Sequence, residues 1–302
     1  MENAIYYGYI IKGDLRSAIA YVKQFPEKSD LYNRFDSVFE HKQYISYEVD
    51  AELNEILVAY QQYYRDVFYL CIAKGQAENK LKERLAKLLG IINEHLALCD
   101  LEQKCLVDLF ESRGLHFLGG KSSGYYGPYI WRTTETVSYD VELPDGVQNY
   151  SVKLLAGFIT RSWIDYLSFG EIGPGGWADG DGYINCVRSA WDIESESFRV
   201  SLLKHEAQHA RDLKMDKNMS SEDLEYRAKL VELIYSNERN LLQSFASEAD
   251  PTDKSNGHAV AAYRILKGFA DMLGVDEVSP ERLQLEQIQA IARVLFENSM
   301  RY

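Results

Sequence analysis

Apolar residues recur at helical spacing through the first third of the chain. Asp14 can cap a helix in which Leu15, Ala18, Ile19 and Val22 share a face, with Pro26 beyond its end. Asp30 can cap the next, which carries Leu31, Phe35, Val38 and Phe39. From Asp50 a long stripe follows: Leu53, Ile56, Leu57, Tyr60, Tyr64, Val67, Phe68 and Cys71. Gly75 is expected to end it. Leu81, Leu85, Leu88 and Leu89 mark a Lys/Glu-rich helix, and a further helix closes on Gly114. Residues 1–118 therefore read as an all-helical bundle.

The period changes after Gly119-Gly-Lys-Ser-Ser-Gly-Tyr-Tyr-Gly-Pro128, a stretch whose composition marks a connector. Val137, Tyr139, Val141 and Leu143 alternate, Pro144-Asp145-Gly146 can turn the chain, and Val147, Tyr150, Val152 and Leu154 follow. This predicts a β-hairpin, with 129–136 extending its first strand. Residues 156–168 read as helical. The Gly-rich run 170–182 cannot hold a helix. Tyr183–Val187 reads as a short strand, either inside a sheet or at an edge where an extended peptide could pair with it. Residues 197–213 predict one helix with an apolar stripe of Val200, Leu203 and Ala207. Ser220 can cap a second helix, His258 stands near the start of a third, and Ser279-Pro280 opens the last. The expected fold class is α+β, with a second domain over 119–302.

Composition excludes more than it identifies. The chain has 302 residues, 46% hydrophobic and 26% charged, as soluble globular proteins do. A net charge of −13 disfavours nucleic acid and anionic membrane as partners. No signal-peptide pattern or membrane-length apolar run is present. Cys71, Cys99, Cys105 and Cys186 lack CxxC spacing and read as reduced thiols, which points to a cytoplasmic location.

The chemistry concentrates in His205-Glu206-Ala207-Gln208-His209. Histidines four apart on a helix stack on one face, so both imidazoles can reach one metal ion. Glu206 then lies beside that metal, placed to take a proton from water. A catalytic zinc site needs a third protein ligand. The chain has Asp212 and Met215 where a metzincin continuation would need Gly and His. Glu225, on the helix capped by Ser220, is the first choice, with Glu222 as the alternative.

His205-Glu-Ala-Gln-His209 followed by Glu225-Tyr-Arg-Ala228 resembles the gluzincin metallopeptidases, the thermolysin-like group. The resemblance is close over 180–240 and extends by element order over 120–275. It implies a zincin-like catalytic domain: a small twisted sheet, an active-site helix, a glutamate helix and C-terminal helices. It also implies Zn2+, a peptide or protein substrate and peptide-bond hydrolysis. Carried over, His205, His209 and Glu225 are the metal ligands and Glu206 is the base. Lys229 departs from the pattern, since many members place there an Asp that orients the first His. Glu232 is the substitute this chain offers. His258, before Ala261-Ala-Tyr263, matches the region where the group carries a catalytic His. It is the expected oxyanion donor, with Tyr226 and Tyr263 as alternatives. Two other classes remain beside this one: an inactive metal-binding or helical scaffold protein, and a zinc hydrolase of non-peptide substrates.

Overall fold

The computed structural model describes residues 2–91, 96–178, 183–254 and 256–299. It is α+β, rich in helices with small sheets. The chain divides into two compact units, Met1–Thr133 with Ala156–Pro174, and Thr134–Leu155 with Gly175–Tyr302. Among the described residues no helix is long and apolar enough to cross a membrane.

The first unit is mainly helical, as its apolar periodicity predicts, but His116–Leu118, inside the expected all-helical stretch, is a strand. Asp14 caps Leu15–Val22 by accepting from the Ser17 amide, and Asp50 caps Ala51–Tyr64 by accepting from Leu53. Asp30 lies inside the first turn of Ser29–Phe35 instead of capping it. The break after the long stripe falls before Gly75. The helix Ala51–Tyr64 widens into the π-turn Arg65–Tyr69, and Cys71 then takes a left-handed φ of 54°. Gly75 sits one residue into the next helix, Lys74–Leu88, where a helix tolerates it. The core is aromatic, with Tyr6, Phe35, Phe39, Tyr60, Tyr63, Tyr64, Phe68 and Trp163 buried together.

The expected boundary lay at 118/119, yet residues 119–133 group with this helical unit. The reason is a buried carboxylate. Glu102 accepts from Tyr60 Oη at 2.6 Å and from the Gly120 amide at 2.8 Å. Gly119 passes so close that a Cβ there would lie 2.9 Å from Glu102 Cβ. The glycines of this stretch permit close approach to a core as well as turning. Tyr129–Trp131 likewise pairs with His116–Leu118 and Thr160–Arg161 in a separate sheet, and does not extend the hairpin. Within 156–168 only Ser162–Leu167 is helical.

The second unit carries the predicted hairpin, Thr133–Leu143 and Gly146–Ala156. Its sheet runs in the order Thr133–Leu143, Gly146–Ala156, Tyr183–Val187, Gly176–Ala178. Ser151–Leu155 pairs in parallel with Tyr183–Val187, and Gly176–Ala178 pairs antiparallel on its other side. Tyr183–Val187 is thus an inner strand, and the short Gly176–Ala178 is the last of the order. Residues 179–182 of the Gly-rich run lie outside the described residues. Against this sheet packs the helix His205–Met215; Ser221–Tyr235 packs on that helix and on Gly257–Leu273 and Leu285–Ser299, Leu241–Glu248 packs on Gly257–Leu273, and their apolar faces share one core. Pro280 opens only a short 3-10 turn, Pro280–Arg282, ahead of the last helix.

Glu102 makes the first unit pH-sensitive. Burial raises its pKa, and the Tyr60 and Gly120 hydrogen bonds offset this only in part, leaving it at about 7. In an unfolded chain the group titrates near ~4.3. The folded state therefore holds the proton more tightly. Its stability is full below the unfolded pKa and falls as pH rises through the folded value. Wild-type protein should lose roughly 2–3 kcal/mol between pH 5 and pH 8 from this group. Urea unfolding of Glu102→Gln should show that loss removed, and an unchanged pH slope would contradict the assignment.

Candidate metal centre

The motif helix begins as a π-helical segment, Phe198–Lys204, and tightens to α at His205. Phe198, Val200, Leu203, Ala207 and Ala210 are buried along this helix, and His205 and His209 are buried as well. The imidazoles of His205 and His209 meet edge to face, with centroids 4.5 Å apart. The glutamate helix, Ser221–Tyr235, is capped as its sequence predicts: Ser220 Oγ accepts from the Asp223 amide. It packs along the motif helix and delivers Glu225 between the two rings.

Glu225 Oε2 lies 3.4 Å from His205 Nε2, and Glu225 Oε1 lies 3.4 Å from His209 Nε2. The ligand atoms of these three residues all fall within 4.8 Å of one another. Charge-assisted N–H···O bonds run at about 2.7–2.9 Å, so 3.4 Å is long for direct pairing. It does match the edge of a tetrahedron about a metal with bonds of about 2.0–2.1 Å, roughly 3.3–3.4 Å. Two buried polar atoms here, Glu225 Oε2 and His209 Nδ1, have no hydrogen-bond partner. Glu222 is not in the cluster.

Glu232, two turns beyond Glu225, places Oε1 2.7 Å from His205 Nδ1. That contact fixes the ring and directs Nε2 to the cluster. Lys229, between them on the helix, is buried, pairs with Glu248 and lies 4.1 Å from the Phe245 ring. The second unit thus keeps a carboxylate on His205 although the position four after Glu225 is a lysine.

The electrostatics favour positive charge. Burial works against a His205 imidazolium, but Glu225 and Glu232, with Glu206 nearby, outweigh it and push its pKa up to about 10. Burial alone would raise the Glu225 carboxyl, yet His205, His209 and His258 hold it far below the usual carboxylate range. A divalent cation satisfies the same demand.

Glu206, the expected base, is half-buried on the motif helix. His258, the second residue of Gly257–Leu273, places Nδ1 2.9 Å from Glu225 Oε2, and its ring stacks on His205 at 6.2 Å. Four of the five residues chosen from the sequence, His205, His209, Glu225 and His258, are therefore brought to one cluster, and Glu206 is the chain neighbour of His205. Tyr226 instead lies under the Arg264 guanidinium at 4.5 Å, and Tyr263 is exposed.

One feature had no signal in the motif. Asp212 and Arg227 form a buried ion pair, Nε to Oδ2 at 2.8 Å. Gln208 Nε2 donates to Asp212 Oδ1 at 2.8 Å, Arg227 Nη1 donates to Ser299 Oγ at 2.7 Å, and the guanidinium lies 4.5 Å from the Phe296 ring. The pair joins the motif helix to the glutamate helix. Its only sequence trace is a charge on each otherwise buried face.

No family model, curated protein or solved structure matches this chain. The site stands on its own geometry.

Asp212→Ala should destabilise the protein by about 3–5 kcal/mol, because it strands Arg227 as a buried unpaired charge. The double variant Asp212→Leu/Arg227→Met should recover most of that loss in urea unfolding. Equal stability of Asp212→Ala and wild type would remove the pair from its structural role.

Proposed function

We propose that the chain is a zinc-dependent hydrolase, a gluzincin-like metallopeptidase acting on peptide or protein substrates. The observation that carries this reading is the convergence of His205, His209 and Glu225, whose ligand atoms all lie within 4.8 Å of one another, with Glu206 next to the first histidine. Three neutral-or-anionic N and O ligands suit Zn2+ and leave a position open. Bound there, zinc would act as a Lewis acid on the scissile carbonyl and lower the pKa of a water toward about 7. The Glu206 carboxylate takes the proton from the attacking water and returns it to the leaving amine. Glu232 keeps the His205 ring in register for ligation. His258, exposed beside the cluster, is positioned to donate to the carbonyl oxygen as negative charge develops on it. Gly176–Ala178 packs on the motif helix and ends the strand order, so an extended peptide could pair with it.

Purified protein should carry about one zinc per chain, the stoichiometry of one three-ligand site, by elemental analysis. Glu206→Gln should keep that zinc and lose hydrolysis of a peptide library, since a base is removed and no ligand is. Loss of zinc in this variant would show that Glu206 coordinates. A wild type that binds zinc and hydrolyses nothing would make the chain a metal-binding scaffold.

A further inference from the structure

The two oxygens of Glu225 are placed almost symmetrically. One faces His205 Nε2 and the other faces His209 Nε2, each at 3.4 Å. A carboxylate set this way can bind a metal through both oxygens, which would use up the position a catalytic site needs open. Something has to decide between one-oxygen and two-oxygen ligation. Resting on the metal reading above, we propose that His258 decides it: its Nδ1 is a positioning group that holds Glu225 Oε2 and leaves Oε1 to the metal.

Three observations carry this. Nδ1 lies 2.9 Å from Oε2, hydrogen-bond distance, and shorter than the edge between two ligands of one tetrahedral metal. Oε2 is buried and lacks an aligned hydrogen bond, so it has an unmet need for a donor. The His258 side chain is 57% exposed, with its ring stacked on His205, so solvent borders the space the ring needs for the rotation that aligns the bond. The backbone beneath it, by contrast, is fixed. Asn256 caps the helix, and Gly257 sits so close to the glutamate helix that a Cβ there would lie 2.6 Å from Ser221 Oγ. The anchor is rigid and the ring is free to turn.

A neutral imidazole has a single N–H. When Nδ1 donates it to Glu225, Nε2 is an acceptor, and only the imidazolium form can also donate to a substrate oxygen. The two roles of His258 are therefore separable by substitution. Asn places an amide nitrogen close to the position of Nδ1 and nothing at Nε2, and Ala removes both.

The experiment is Co2+ titration of the full-length protein as wild type, His258→Ala and His258→Asn, followed by visible absorption and competition with a chelator. Wild type should give the intense visible bands of four-coordinate cobalt. His258→Ala should bind Co2+ about 10- to 100-fold more weakly, the range for losing a group that orients a ligand. Its bands should also weaken as the carboxylate takes a second position. His258→Asn should restore both the affinity and the spectrum. Wild-type affinity and spectrum in His258→Ala would overturn the proposal and leave the metal reading standing, as would equal impairment of the Ala and Asn variants. Failure of the wild type to bind Co2+ at all would overturn the metal reading, and this proposal with it.

Discussion

The buried Asp212–Arg227 pair is the constraint on which the site depends. Asp212 stands three residues after His209, and Arg227 two after Glu225, so the contact ties together the two helix turns that carry the candidate ligands. Desolvating two charges is costly, and only good geometry with further hydrogen bonds offsets it. Here Gln208 and Ser299 supply those bonds, and Phe296 faces the guanidinium. Hydrophobic packing alone would hold the two helices together with less definite register. The ion pair sets a particular register, and a three-ligand centre tolerates little slippage.

Around that frame the charges are arranged in two layers. Glu225 and Glu232 bracket His205, and Glu206 adds to the field. The buried Lys229 is taken up by Glu248. Excess negative charge in a low-dielectric interior is unfavourable unless a cation is present. Protonated imidazole meets part of that demand, and a divalent ion would meet more of it. In the first unit a buried carboxylate is met differently. Glu102 is neutralised by a proton at about 7, with Tyr60 and Gly120 as donors.

Most of the site was legible because its signals are local. Two histidines four apart, a neighbouring glutamate and a capped helix with Glu225 all follow from helical periodicity, and periodicity survives folding. Glu232 was legible for the same reason, since i and i+7 share a face. Asp212–Arg227 was not, because pairing between helices depends on packing angle and carries no fixed offset. The sheet was harder still. Gly176–Ala178 is three residues long and Gly-rich, so it has no alternation to detect, and the inner position of Tyr183–Val187 depends on it. The 119–128 stretch misled through composition, for glycine marks close approach to a core as readily as it marks a turn.

The most direct test is anomalous diffraction at the zinc edge from crystals of the zinc-loaded protein. The account predicts a single strong peak between His205, His209 and Glu225, within about 2.0–2.2 Å of each imidazole Nε2 and one carboxylate oxygen. A zinc-loaded crystal with its peak elsewhere, or with the three side chains turned away from it, would contradict the account.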